Sequence, residues 1–220
     1  MRTNGAQPKR KGPWKPQHNA RHILAVDPGR AYAIAGWTRH YNQIIVAQGT
    51  THASDVPVTH RLFNVVGDID MATRFISLNL DLDVLALEYP IPFYRASRES
   101  IAAVNIHAGV WAATVPCHEI QMFSPGNSKN LHVWNNKGAG LEEAEAFLAA
   151  NPHKCIHPDS VDNAMEVDLT AACRRYPKFL DCAKVRLTKD AKSAVGILLC
   201  AMRYNNIPLP VKPSVFYTQL

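Results

Sequence analysis

The sequence contains no apolar run approaching the roughly 20 residues needed to cross a bilayer, which argues against membrane insertion. Its N-terminus is basic and proline-rich and lacks the apolar stretch of a secretory leader. There is no CxxC pair, and the five cysteines (Cys117, Cys155, Cys173, Cys182, Cys200) are odd in number and scattered. Reduced thiols in an intracellular compartment fit this better than a disulfide framework. Charged residues make up only 19% of the chain against 47% hydrophobic, which excludes wholesale disorder. No internal repeat and no low-complexity tract interrupts the body. At 220 residues the chain has room for one well-cored domain.

Acid is missing altogether from residues 1–22, which hold Arg2, Lys9, Arg10, Lys11, Lys15 and Arg21. The net charge of +6 therefore resides in this segment, and the remainder is neutral. A Pro- and Gly-punctuated basic arm cannot bury a core, so residues 1–21 are expected to be disordered when free. Such an arm suits a polyanion, most simply nucleic-acid phosphate, with Lys9, Arg10 and Lys11 at its centre. A solubilising tail or a basic address signal has the same composition.

Downstream, apolar runs and turn signals alternate. Residues 22–26 read as a strand ended by Asp27-Pro28-Gly29, and 31–38 and 43–48 as two further strands in antiparallel hairpins. A helical spacing follows over 57–80, weakened by Gly67. Residues 83–88 are a nearly all-apolar strand, 97–113 a helix and 119–123 a fifth strand. Helices are expected over 141–150, 161–174 and 189–204, with a loop over 151–158. Beyond Asn206, Pro208, Pro210 and Pro213 predict an extended tail over 207–220. Residues 22–206 thus read as one α/β domain, a mixed five-stranded sheet in the order β-β-β-α-β-α-β-α flanked by helices.

Asp27 and Glu88 each end an apolar strand, and Asp190 begins the last apolar helix. A carboxylate directly after apolar strand residues is costly to bury unless it is paired or ligates a metal. If the first and fourth strands are neighbours, both acids emerge at one sheet edge, and a helix start above it delivers the third. An oxygen-only set suits Mg²⁺ or Mn²⁺ and in-line phosphodiester hydrolysis. Each acid taken singly is equally compatible with a helix cap or a closed turn.

Ile23-Leu24-Ala25-Val26-Asp27-Pro28-Gly29, followed by Ala35-Gly36-Trp37, resembles the opening hairpin of the RuvC family of Holliday-junction resolvases. Leu85-Ala86-Leu87-Glu88 resembles the family's second catalytic strand. Ser124-Pro125 through Lys129, then Lys137-Gly138, is similar to its basic stretch near DNA, and Lys189–Ala201 to its closing helix. The likeness spans most of residues 22–204, with the first two motifs sharp. It implies an RNase H-like fold, a homodimer, Mg²⁺ dependence, cleavage of branched four-way DNA, and Asp27, Glu88 and Asp190 as the catalytic and metal-binding acids. The family usually closes with two acids one helical turn apart. Here the register that uses Asp190 places Ser193 at the second position, and the alternative register, with Ser193 and Gly196, leaves no acid there. The three-acid set resembles nuclease centres of transposon-encoded RNA-guided enzymes, while the missing acid also fits a protein that binds junctions without cutting them.

Phe93, Tyr94, Arg95 and Arg98 follow Glu88 closely and suit stacking on an unpaired base and gripping phosphate. Lys129 and Lys137 lie in a Gly/Asn/Ser-rich loop and suit phosphate contact. Packed surface aromatics and solvated lysines explain the same residues. His153, Cys155 and His157 have a zinc-like flavour but no standard zinc spacing. A sugar-kinase or actin-like ATPase also opens with such a hairpin, but needs two halves and Gly-rich phosphate loops that are missing here.

Overall fold

The structure, a computed structural model, describes residues 20–39, 42–50, 82–88, 98–125, 133–134, 139–151, 153–154, 187–209 and 214–219. The helices expected over 57–80 and 161–174 lie outside these residues, as does the basic arm up to residue 19. The strands are β1 (His22–Asp27), β2 (Ala31–Thr38), β3 (Gln43–Thr50), β4 (Val84–Glu88), β5 (Glu119–Pro125), β6 (Val133–Trp134), β7 (His153–Lys154) and β8 (Ser214–Gln219). The helices are α1 (Arg98–Thr114), α2 (Ala139–Ala150) and α3 (Lys189–Tyr204). These strands of the described residues join one sheet in the order β6-β5-β4-β1-β2-β3-β8-β7.

The five anticipated strands form the contiguous centre of that sheet. β1 lies in its middle, antiparallel to β2 and parallel to β4. This explains its composition: a strand covered on both faces reads as a continuous apolar run, and Ile23, Leu24, Ala25 and Val26 are all buried. Alternation then divides them. Ile23 and Ala25 face the side occupied by α3, together with Ala33, Ala35, Val46, Val84 and Ala86. On the opposite face Tyr32 meets Trp111 of α1, with ring centroids 5.9 Å apart. Tyr32 pairs across the ladder with Gly49, and a Cβ there would stand 2.8 Å from the tyrosine Oη, so any side chain at this position of β3 would force the buried ring to shift. The β2–β3 hairpin turns through Asn42 at a φ of 48°, a left-handed conformation that asparagine tolerates.

α3 is the central helix of the covered face, buried over most of its circumference because α2 packs on its outer side. Ala144 and Leu148 of α2 supply the apolar contact, and Lys192–Glu145 and Arg203–Glu143 pair at its margin. At the far end of α3, Asn205 is fully buried and exchanges amide hydrogen bonds with Gln121 of β5, at 3.0 and 3.2 Å.

Three boundaries differ from the sequence reading. Residues 153–154, expected in a loop, form β7 beside β8. The segment after 206, expected as a separate extended tail, contributes β8, which pairs in parallel with β3 over Gln43–Gln48. Its prolines precede the strand, and Ser214–Gln219 contains none, so the ladder can form there. At the other end the body begins before residue 22. Ala20 is buried, and Arg21 donates its backbone N–H to Asp83 Oδ2 at 2.6 Å and accepts one from Arg39 at 2.7 Å. Among the described residues no helix is long and apolar enough to cross a membrane.

Candidate active site

The β1–β4 ladder pairs Val26 with Leu87, so the next residues, Asp27 and Glu88, leave adjacent strands side by side. Both continue the alternation of Ile23, Ala25, Val84 and Ala86 and therefore face α3. The β1–β2 ladder pairs Asp27 with Ala33, and the β2–β3 ladder pairs Ala33 with Gln48. One rung of the sheet thus carries Glu88, Asp27, Ala33 and Gln48 in a row, on one face.

The start of α3 lies over this rung. Ser193, which is 3% exposed, hydrogen-bonds through its side chain to Asp27. Thr188 is the N-cap, and its hydroxyl accepts from Ala191 N at 3.1 Å. Its backbone N–H and its Oγ1–H both donate to Gln48 Oε1, each at 3.0 Å. Asp190, in the first turn of α3, is within electrostatic reach of both Asp27 and Glu88. Lys189 beside it is exposed, and its charge acts on Glu88 and Asp190.

These surroundings raise all three acids. Burial raises Asp27 well above the usual carboxyl range, and the charges of Glu88 and Asp190 add to it, while the Ser193 contact opposes the shift. Burial raises Glu88 to about 7, against the hydrogen bond from Asp27 and the charge of Lys189, with Asp190 pushing it further up. Asp190 is raised by burial, moderated by Lys189 and by its own backbone N–H at the helix start. Asp27 and Glu88 are thus each held toward the protonated form, by burial first and by the neighbouring negative charge second. Two carboxyls forced together out of water keep a proton between them unless a cation replaces it.

Among the described residues, no three His, Cys, Asp or Glu side chains form a group that could hold a metal ion as they stand. The structure brings Asp27 and Glu88 into contact and Asp190 into the same field, but it does not close the three into one cage. The donor set nevertheless fits a hard divalent cation, because it is all oxygen and its charged form is disfavoured until a cation arrives. Phe93, Tyr94, Arg95, Lys129, Lys137, Cys155, His157 and the arm residues Lys9, Arg10 and Lys11 lie outside the described residues. Arg98 starts α1, and His153 lies in β7.

The sequence reading did not single out Gln48 or Thr188. The signal was present: Ile44-Ile45-Val46-Ala47 ends in Gln48 as the other two strands end in Asp27 and Glu88. A search restricted to acids passes over an amide at the same kind of position.

No protein-family model and no curated protein matches the chain. Among solved structures, it is similar to T. thermophilus RuvC in complex with a Holliday junction substrate, at 12% identity over 86% of this chain and 96% of that one, with a TM-score of 0.46. It is also similar to the human cytomegalovirus terminase nuclease domain, Mn-soaked and inhibitor-bound, at 11% identity over 82% and 83%, with a TM-score of 0.40. The fold is RNase H-like. The strand order carries that assignment: an antiparallel β1–β2–β3 meander extended on the β1 side by parallel β4 and β5, with a helix across the face.

Proposed function

We propose that the chain is a Mg²⁺- or Mn²⁺-dependent, structure-selective DNA endonuclease of the RuvC kind, acting on four-way junctions as a homodimer. The observation that carries the reading is the placement of Asp27 and Glu88 side by side beneath the helix start that bears Asp190. The choice of a branched-DNA substrate follows from the RuvC-like opening motif at Asp27-Pro28-Gly29. Paired cuts in two strands call for two copies of one site, which a two-fold dimer supplies.

In this reading Asp27, Glu88 and Asp190 hold the divalent ions. When bound, those ions supply Lewis-acid stabilisation of charge on the scissile phosphate and lower the pKa of water. The residues themselves do the rest. Burial favours the protonated forms of Asp27 and Glu88, so a cation held between them would displace protons from the pair. Ser193 keeps the Asp27 carboxyl oriented, and Lys189 offsets part of the negative charge that an incoming phosphate would meet. Overall, water adds to phosphorus and one P–O bond breaks, leaving a phosphate end and a hydroxyl end. Phe93, Tyr94, Arg95, Arg98, Lys129 and Lys137 are proposed to contact the junction, with Lys9, Arg10 and Lys11 following the backbone outside it.

A second reading is favoured by one observation, the serine at the position of a fourth acid: a protein that binds junctions and does not cut them. Incubating the purified chain with a labelled four-way junction and Mg²⁺ separates the two. Paired nicks, absent in Asp27→Asn and in chelator, support the nuclease. Binding without nicks at any Mg²⁺ or Mn²⁺ concentration supports the binder.

A further inference from the structure

Gln48 has no place in the carboxylate chemistry, yet it is 4% exposed at the end of an apolar strand. An amide at such depth is costly unless its polar atoms are engaged. Its Oε1 accepts two hydrogen bonds from one residue, Thr188, through the backbone N–H and the hydroxyl. That residue is the N-cap of α3 and stands two positions before Asp190. The cap in turn holds the first turn, since Thr188 Oγ1 accepts from Ala191 N at 3.1 Å and Thr188 O from Lys192 N at 3.3 Å.

The rung gives this contact its meaning. Gln48 and Asp27 lie two strands apart on one face, about 10 Å at the usual strand spacing. Thr188 and Ser193 lie five residues apart, about 7.5 Å along a helix. The first turn and a half of α3 therefore lies along the rung, tied at one point to Gln48 through Thr188 and at the other to Asp27 through Ser193. Asp190 falls between the two ties. Apolar packing beneath α3 resists separation from the sheet but specifies rotation about the helix axis less strictly than directed hydrogen bonds do.

We infer that Gln48 is a positioning residue for the proposed metal site: by holding Thr188 it sets the rotation and register of α3, and so places the Asp190 carboxylate opposite Asp27 and Glu88. The inference rests on the carboxylate reading above. Partners behind metal ligands commonly govern affinity by 10–100-fold when removed, and Gln48 acts at one further remove, through the helix cap.

The experiment is a Mn²⁺ titration of the full chain followed by electron paramagnetic resonance, without DNA, with thermal melts and amide exchange alongside. Gln48→Met conserves volume and removes the acceptor; Thr188→Val removes the hydroxyl donor at an exposed position; Thr188→Ser retains it. Gln48→Met is expected to raise the Mn²⁺ dissociation constant by about tenfold or more, with faster exchange at Ala191 and Lys192. Thr188→Val should act in the same direction, Thr188→Ser should bind as the unsubstituted chain does, and the Gln48→Met/Thr188→Val pair should be no worse than the larger single effect. A merely structural role would lower the melting temperature and leave Mn²⁺ affinity within twofold; that result overturns the inference. If Gln48→Met does not fold, the Thr188 pair decides in the same terms. Absence of Mn²⁺ binding by the unsubstituted chain removes the metal-site reading, and the inference with it. Tight binding that ignores Gln48 and Thr188 removes the inference alone.

Discussion

Ser193 of α3 and Asp27 of β1 are joined by a side-chain hydrogen bond at the point where helix and sheet meet. The serine stands one helical turn beyond Asp190, on the same face. This position beside Asp27 is thus filled by a neutral group that supports a carboxylate without adding charge.

Ser193→Asp is therefore expected to strengthen cation binding and lower the Mg²⁺ concentration for half-maximal cutting. In the absence of metal it should destabilise the fold, because a further acid joins a buried cluster. Ser193→Ala should cost about 1 kcal/mol of stability through loss of one buried hydrogen bond. Cleavage assays across a Mg²⁺ titration and urea melts in chelator measure the two effects. A Ser193→Asp variant that needs more Mg²⁺ than the parent would remove the serine from the site.

Asp27→Asn is expected to abolish cleavage and to leave junction binding intact or tighter. The amide keeps a hydrogen bond to the neighbouring carboxyl but cannot become an anionic ligand. Gel shifts in Ca²⁺ and cleavage in Mg²⁺ test both halves. Undiminished cutting would take Asp27 out of the mechanism.

The raised carboxyls give metal-free stability a definite pH dependence. Glu88 rises from 4.5 to about 7 on folding, so the native state binds protons more tightly than the unfolded chain. The stability this provides is complete below pH 4.5 and is lost as pH climbs through about 7. Asp27 shifts in the same direction. Melting temperature in chelator should therefore fall across this window, and Mn²⁺ should oppose the fall. Glu88→Gln should flatten the profile.

At the other end of α3, Asn205→Ala is expected to destabilise by about 1–3 kcal/mol. It removes the C-cap amide and leaves the buried Gln121 short of a partner. Denaturant melts of Asn205→Ala measure the loss, and catalytic constants per folded molecule should not change. A loss of activity exceeding the loss of fold would mean that the C-terminal end of α3 also matters to the site.

The basic arm makes a prediction of its own. Because Ala20 and Arg21 are tied to the body, a clean deletion ends at residue 19. It should weaken binding to linear and branched DNA about equally and flatten the dependence of log K on log salt, since its cations release counterions without regard to shape. An unchanged slope would mean that the arm does not touch phosphate.

What could be read in advance follows from how each feature is written into the chain. The central strands were legible because a doubly covered strand is an unbroken apolar run, and Asp27 and Glu88 stood out because each interrupts one. Register was not legible. That Asp27, Ala33 and Gln48 share a rung depends on ladder pairing across two hairpins, which residue type alone does not encode. β7 and β8 were missed for a related reason: two residues and a short proline-flanked run carry no periodicity, and partners far away in sequence make them strands. Ser193 was singled out by its resemblance to the family's two-acid closing helix, where it stands at the second acid's position, but its bond to Asp27 needed the sheet beneath it.

α3 is held just before its first residue by a glutamine from β3 and just past its last by a glutamine from β5, so it crosses the sheet as a strut pinned at both ends. Its bearing is thus referenced to the sheet at both ends. The helix start that carries Asp190 is thereby referenced to the same sheet that bears Asp27 and Glu88, while α2 braces its outer side, so the two halves of the site share one frame.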